Sequence, residues 1–204
     1  MIAIVDYGVG NLFSLKSSLG FLGLENVVTS SPDQLDSASH IILPGVGAFG
    51  DAIQNLRTTG LDEIVINQAK KGKPLMGICL GMQLLYESSC EHGFHRGLGL
   101  LPGKIEALGD ASGMDGLKIP HMGWNGISIL KDHPIAQGSR QGDFVYFVHS
   151  YYAPVSEAAV ASASYGGADI TALAAMGNVC GAQFHPEKSG EGGLGILMAF
   201  SRMK

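Results

Sequence analysis

Four short apolar runs constrain the fold most: "IAIVD" (Ile2 to Asp6), "NVVTS" (Asn26 to Ser30), "HIILPG" (His40 to Gly45) and "PLMGIC" (Pro74 to Cys79). The last shows no alternation of apolar with polar residues, as expected of a strand covered by helices on both faces. Helical stretches separate the runs. Asn11 opens an amphipathic segment through Leu22 that Gly23 can terminate, and Ser31-Pro32 supplies a capping residue with a proline suited to a first helical turn. Ala48 to Arg57 and Leu61 to Lys71 are also expected to be helical, with Gly72 ending the second. Strands alternating with helices imply a mostly parallel sheet, so the fold class is α/β. The second half differs: "GKIEAL", "FVYFVHSYY", "AVASASY", "ADITALAAM" and "NVCGAQF" follow one another with little helix before "GGLGILMAFSRMK". Antiparallel additions to the sheet are expected there.

With 204 residues, 46% of them hydrophobic and 15% charged, the chain can fill one sizeable core and is short for two. No repeat, low-complexity tract or linker divides it, so residues 1–204 are read as a single domain. The net charge of −5 and the scatter of its 13 basic residues give no footprint for nucleic acid or anionic lipid. Small molecules and protein partners are the expected ligands. No apolar run approaches the ~18 residues of a membrane span, and "MIAIVDYG" has neither a basic leader nor a cleavage site, so the cytoplasm is the expected compartment. Three cysteines, Cys79, Cys90 and Cys180, make no even disulfide framework and no C-x-x-C pair, which fits a reducing compartment.

One cysteine stands apart. In "PLMGICLGMQLL", Gly77-Ile78-Cys79-Leu80-Gly81 places a thiol between two glycines where a strand turns into a helix. This is the thiol counterpart of the nucleophile elbow: neighbours carrying a Cβ would clash in so sharp a turn, and the nucleophile is pushed out above the carboxyl end of the sheet. The following helix aims its N-terminal N–H groups at the sulfur, which favours thiolate, and the Leu80 N–H is placed to donate to an oxyanion. A buried structural cysteine is the competing reading of this segment alone.

"GAQFHPEKS" (Gly181 to Ser189) decides between them. His185 and Glu187 are two residues apart, so in extended backbone both side chains leave the same face, and Pro186 stiffens the link. A carboxylate can hold an imidazole's tautomer while the other ring nitrogen faces a nucleophile. A histidine beside a proline is commonly only a loop residue. Here both it and Cys79 fall at expected carboxyl ends of strands, where open α/β sheets place their sites.

Together, "PLMGICLGMQLL" and "GAQFHPEKS" resemble the class I glutamine amidotransferase family, whose catalytic triad is cysteine, histidine and glutamate. Within it, "DYGVGNLFS", "LPGVGAFGDA", "PHMGWN" and "FVHSYY" resemble the glutaminase subunits that serve histidine biosynthesis, and the matches run in order along nearly the whole chain. The resemblance implies a flavodoxin-like fold, the triad Cys79, His185 and Glu187, and release of ammonia from glutamine without a cofactor or metal. It implies an oxyanion hole made by Leu80 with Val46 or Gly47, in a loop whose Pro-Gly-Val-Gly sequence differs from the Pro-Gly-Gly type of other synthases. Gly47 and Gln83 are implied at the amide end of the substrate, Ser150 and Tyr151 toward its amino-acid end, with His149 and Tyr152 supporting that strand. The implied partner is a (β/α)8-barrel cyclase that forms imidazole glycerol phosphate and an aminoimidazole carboxamide ribotide, joined in a heterodimer. Asn11, His121, Met122, Trp124 and Lys188 are the candidates for the surface facing it, Trp124 because the chain's one tryptophan sits in a glycine-flanked polar loop.

Other classes fit less well. Gly8-Val9-Gly10 follows a strand, but Phe13 replaces the third glycine of a dinucleotide-binding fingerprint and no acidic residue ends the second strand. A zinc site is disfavoured because no ligand pair has the usual short spacing. Cys90 and Cys180 are read as incidental or buried thiols. A stand-alone γ-glutamyl hydrolase, a glutaminase subunit of a different synthase and a non-catalytic scaffold remain as alternatives.

Overall fold

The apolar runs of the first half form strands β1 (Ile2–Val5), β2 (Asn26–Thr29), β3 (His40–Leu43) and β4 (Leu75–Ile78). Between them lie helices α1 (Leu12–Phe21), α2 (Pro32–Ser37), α3 (Phe49–Thr58) and α4 (Leu61–Lys70). These come from a computed structural model that describes residues 1–114 and 116–204. Gly23 and Gly72 stop α1 and α4 as expected, with φ of 71° and 90°. Past each, the chain bonds back into the last turn, Leu24 N–H to Leu19 O at 2.9 Å and Lys73 N–H to Gln68 O at 3.1 Å. Pro32 begins α2, but the Ser31 side chain makes no capping bond. Its backbone N–H instead donates to Thr29 Oγ1 at 2.9 Å.

After β4 come a one-turn helix α5 (Leu80–Leu84) and strands β5 (Tyr86–Ser89), β6 (His95–Arg96), β7 (Leu101–Ala107), β8 (His121–Gly126) and β9 (Ser128–Ile129). The chain continues through β10 (Phe144–His149), β11 (Tyr151–Tyr152), β12 (Ala159–Tyr165), β13 (Ala168–Met176), β14 (Val179–Ala182) and helix α6 (Gly190–Ser201). Among the described residues, the main sheet has the order β2-β1-β3-β4-β14-β13-β12-β9. Its first five strands are parallel, and β13, β12 and β9 add antiparallel to one edge. Two details differ from expectation. "NVCGAQF" enters the parallel block through its pairing with β4, and "FVYFVHSYY" is broken at Ser150 instead of extending the sheet. Its two pieces join separate small sheets, β10 with β8 and β11 with β7.

Side chains of the central strands divide by their two-residue period. Ala3, Val5, Ile41, Leu43 and Leu75 pack against α2, α3 and α4, while Ile2, Ile4, Ile42, Met76 and Ile78 pack against α1 and α6. Each fully buried aliphatic side chain of this kind contributes roughly 1.5–3 kcal/mol. With both faces covered, what remains open is the carboxyl edge. Leu43 is level with Gly77, and Ile78 with Ala182, so the segments leaving β3, β4 and β14 emerge side by side.

Candidate active site

Cys79 occupies the turn between β4 and α5 with φ 54° and ψ −114°, backbone that a side chain seldom adopts. Strain of this kind costs about 1–3 kcal/mol and persists only where the surroundings enforce it. The flanking glycines show what does so. A Cβ on Gly77 would lie 2.5 Å from Met82 Cα, and one on Gly81 would run into the carbonyl oxygen of Leu43. The loop after β3 is pressed against the same turn: a Cβ on Gly45 would lie 2.6 Å from the Gly81 nitrogen. Tyr7 fixes that loop by donating its hydroxyl to Pro44 O at 2.8 Å.

His185 lies three residues beyond β14, the strand beside β4. The Cys79 N–H bonds to Ala182 O at 2.7 Å, tying the two strand ends together. His185 Nδ1 is 2.8 Å from Glu187 Oε1, with both side chains almost fully buried. The route to this pairing differs from the extended backbone expected, because Pro186–Lys188 form a turn of 3-10 helix that folds the carboxylate back onto the ring. With Nδ1 committed to Glu187, Nε2 is the ring nitrogen left for the Cys79 sulfur, and both residues line the same cavity. Burial works against a charged ring, but interaction with Cys79 and Glu187 outweighs it and pushes the imidazole up to about 10. The arrangement stabilises a proton on His185 beside sulfur.

A cavity of about 300 Å³ opens over these groups, lined by Val46, Gly47, Cys79, Leu80, Gln83, Ser150, Tyr151 and His185 among others. That is the small end of the range for small-molecule sites. Among the described residues, the N–H groups of Val46, Gly47 and Leu80, which line the cavity with Cys79, have no hydrogen-bond acceptor within the protein. Gln83 is buried and its Nε2 donates to Tyr151 O at 2.8 Å and to Gln183 Oε1 at 3.0 Å. Its oxygen is left for the cavity. Tyr152 is buried behind, and His149 Nδ1 bonds to Tyr151 O at 3.0 Å.

Two residues of the site carry no signal in the sequence. Gln183, fully buried, places Nε2 4.0 Å from Cys79 Sγ. Glu91 is the carboxylate in the lining of the cavity; Oε2 accepts the first N–H of α3, from Phe49, at 2.7 Å. Nothing around Glu91 in "SSCEHG" distinguishes it from an ordinary loop acid, because its position depends on the path of β5.

The candidates for a partner-facing surface separate. Met122 and Trp124 are 62% and 55% exposed, Lys188 is exposed and Asn11 half-buried. His121 corrects the expectation: it is 3% exposed and turned inward. "PHMGWN" is largely strand, not loop, and a strand's alternation sends His121 and Met122 to opposite faces. Cys180 is fully buried and its thiol pushed up by burial, while Cys90 is exposed. Among the described residues, no group of three His, Cys, Asp or Glu side chains is placed to hold a metal ion, and no helix is long and apolar enough to cross a membrane.

Comparison with known proteins agrees with this geometry. The family model "Glutamine amidotransferase class-I" matches residues 3–200. A protein of Listeria monocytogenes serotype 4b named imidazole glycerol phosphate synthase subunit HisH is 47% identical over 203 residues, covering 100% of this chain and 96% of the relative. A Bacillus subtilis protein of the same name is 47% identical over 207 residues, with the same coverage. Among solved structures, one described as a glutamine amidotransferase superposes with a TM-score of 0.74 at 18% identity, covering 98% of this chain and 100% of its own. A structure described as PurLQS from Thermotoga maritima gives 0.73 at 23% identity, covering 98% and 96%. With its cysteine elbow, its His185–Glu187 pair and a family match from the first strand to the last helix, the chain belongs to the class I glutamine amidotransferases.

Proposed function

We propose that the chain is the glutaminase subunit of an imidazole glycerol phosphate synthase, acting as one domain in the cytoplasm and passing ammonia to a (β/α)8-barrel cyclase in histidine biosynthesis. The observation that carries this reading is the buried His185–Glu187 pair, 2.8 Å apart, with His185 lining the same cavity as Cys79 at its strained elbow. Cys79 Sγ attacks the side-chain amide carbon of glutamine while its proton passes to His185 Nε2. The tetrahedral oxygen takes hydrogen bonds from the Leu80 N–H and from Val46 or Gly47, each worth roughly 3 kcal/mol in such a site. His185 then gives its proton to the departing nitrogen, and ammonia leaves a γ-glutamyl thioester. Water attacks this ester with His185 as base, releasing glutamate and restoring the thiol. Glu187 keeps the ring in the one tautomer that serves both steps.

Substrate contacts follow from what the cavity offers. Gln83 Oε1 accepts hydrogen from glutamine, Ser150 and Tyr151 line the amino-acid end, and the Glu91 carboxylate supplies the charge an α-ammonium needs. Ammonia released into neutral water becomes protonated and loses its nucleophilicity, so the product must be handed over directly. The exposed Met122 and Trp124, with Asn11 and Lys188, are the surface proposed for that partner. Glutamate release by the chain alone and with the cyclase subunit tests the reading. It expects a large increase on adding partner and none from Cys79→Ser; full turnover alone would favour an independent hydrolase, and no turnover in either state a scaffold.

A further inference from the structure

His121 and His149 are both buried, lie directly opposite each other on β8 and β10, and belong neither to the triad nor to the exposed face. The hydrogen bonds between them admit one arrangement of protons. Tyr151 O can only accept, so His149 Nδ1 carries the hydrogen of that 3.0 Å bond. In a neutral ring Nε2 is then an acceptor, and it lies 3.0 Å from His121 Nδ1, which must donate. His121 Nε2 is left to accept from Asn125 Nδ2 at 3.4 Å, and the same amide nitrogen donates to Ser164 O at 2.9 Å. Burial keeps both rings neutral, His121 being pushed down to about 4 and His149, with its neighbouring ring adding to the effect, to about 3. The His121 ring is stacked between Phe147 and Tyr165, at centroid separations of 4.8 and 4.2 Å.

The far end of this chain is the carbonyl that also holds Gln83. Tyr151 O accepts from His149 and from Gln83 Nε2, and Gln83 spends its second hydrogen on Gln183 Oε1. Flipping the Gln83 amide would set oxygen against two oxygens, so the side chain presents Oε1 to the cavity as long as the Tyr151 carbonyl stays in place. His149 is among the residues lining the cavity, but both its ring nitrogens are used within the protein, so it acts through Tyr151. We propose that the Asn125–His121–His149 chain is a positioning relay for substrate binding, fixing the Tyr151 carbonyl and through it the orientation of Gln83. The proposal rests on the glutaminase reading given above.

The test uses the full chain with the cyclase subunit. His121→Phe keeps a flat ring between Phe147 and Tyr165 but deprives His149 Nε2 of its donor, freeing that ring to change tautomer. The expected result is a KM for glutamine raised about tenfold, the size of one misplaced hydrogen bond, with the loss falling on KM far more than on kcat. His121→Asn, which restores an N–H near the position of Nδ1, should recover most of the binding. A role confined to holding β8 and β10 together would lower thermal stability and leave KM unchanged, and that outcome overturns the proposal. Nitrogen NMR of the wild-type histidines gives a second reading that does not depend on the variants folding: both rings are expected neutral with hydrogen on Nδ1, and an Nε2–H tautomer at His149 overturns the relay. Wild-type chain that releases no glutamate beside its partner would bring down the glutaminase reading itself. An active wild type with unchanged KM in the variant removes the relay alone.

Discussion

In the proposed mechanism Cys79 and His185 carry the chemistry, at the scale of single residues. Because Cys79 sits at positive φ, removing its side chain relieves strain as well as abolishing the proposed nucleophile. Cys79→Gly should therefore lose all glutamine turnover yet resist denaturant better than Cys79→Ala, by about 1 kcal/mol in unfolding experiments. His185 carries a pH signature. Its ring is raised from an ordinary value near 6.5 to about 10, so the native state holds the proton more tightly than the unfolded chain. The resulting stability is fully present below the unfolded value, falls as pH rises through the interval and is gone past about 10. Denaturation midpoints measured from pH 6 to 10 should fall more steeply for wild type than for His185→Gln. Glu187→Gln, which leaves the ring but mismatches its tautomer, should lower kcat by about 10⁴-fold. The residues of the proposed triad stand out in the sequence because each has a local signature: glycines that permit close backbone approach, and an acid two residues from a histidine. Glu91 and Gln183 were not, since a carboxylate in a loop and an amide in a strand acquire meaning only when β5 and β14 bring them to the same cavity.

Elements decide whether those residues meet. The elbow works because the β3 loop, β4 and the start of α5 are in backbone contact, with no room for a methyl group at Gly81. Gly81→Ala should cost more than about 3 kcal/mol or prevent folding, whereas Gly47→Ala meets no atom and pays only for its φ of 94°, about 1 kcal/mol. Thermal denaturation of the two variants distinguishes close approach from conformational preference. The parallel half was readable because uninterrupted apolar runs and glycine stops depend on neighbours close in sequence. The small sheets were not, because the break at Ser150 and the partner of each piece depend on strands far away in the chain. Reading "PHMGWN" as a loop set His121 beside Met122 and Trp124; once it pairs with β10, alternation turns that histidine inward.

At the scale of the whole molecule, one edge of the sheet holds the cavity and the outer face of β8 and β10 holds exposed apolar groups. Met122, Trp124 and Phe144 are each more than half exposed, which is costly for a face that stays in water. Trp124→Ala should leave the chain's own unfolding midpoint almost unchanged and weaken binding to the proposed cyclase partner by about 2 kcal/mol, as titration calorimetry would record. The proposed chemistry requires Cys79 to be the reactive thiol although it is only 7% exposed, while Cys90 is open to solvent. Treating the chain, with its partner, with an electrophilic glutamine analogue and locating the adduct by mass spectrometry tests this directly. The predicted result is one adduct on Cys79, formed more slowly when glutamine is present and lost in His185→Gln; modification of Cys90 alone, or labelling of Cys79 indifferent to glutamine and to His185, would contradict it.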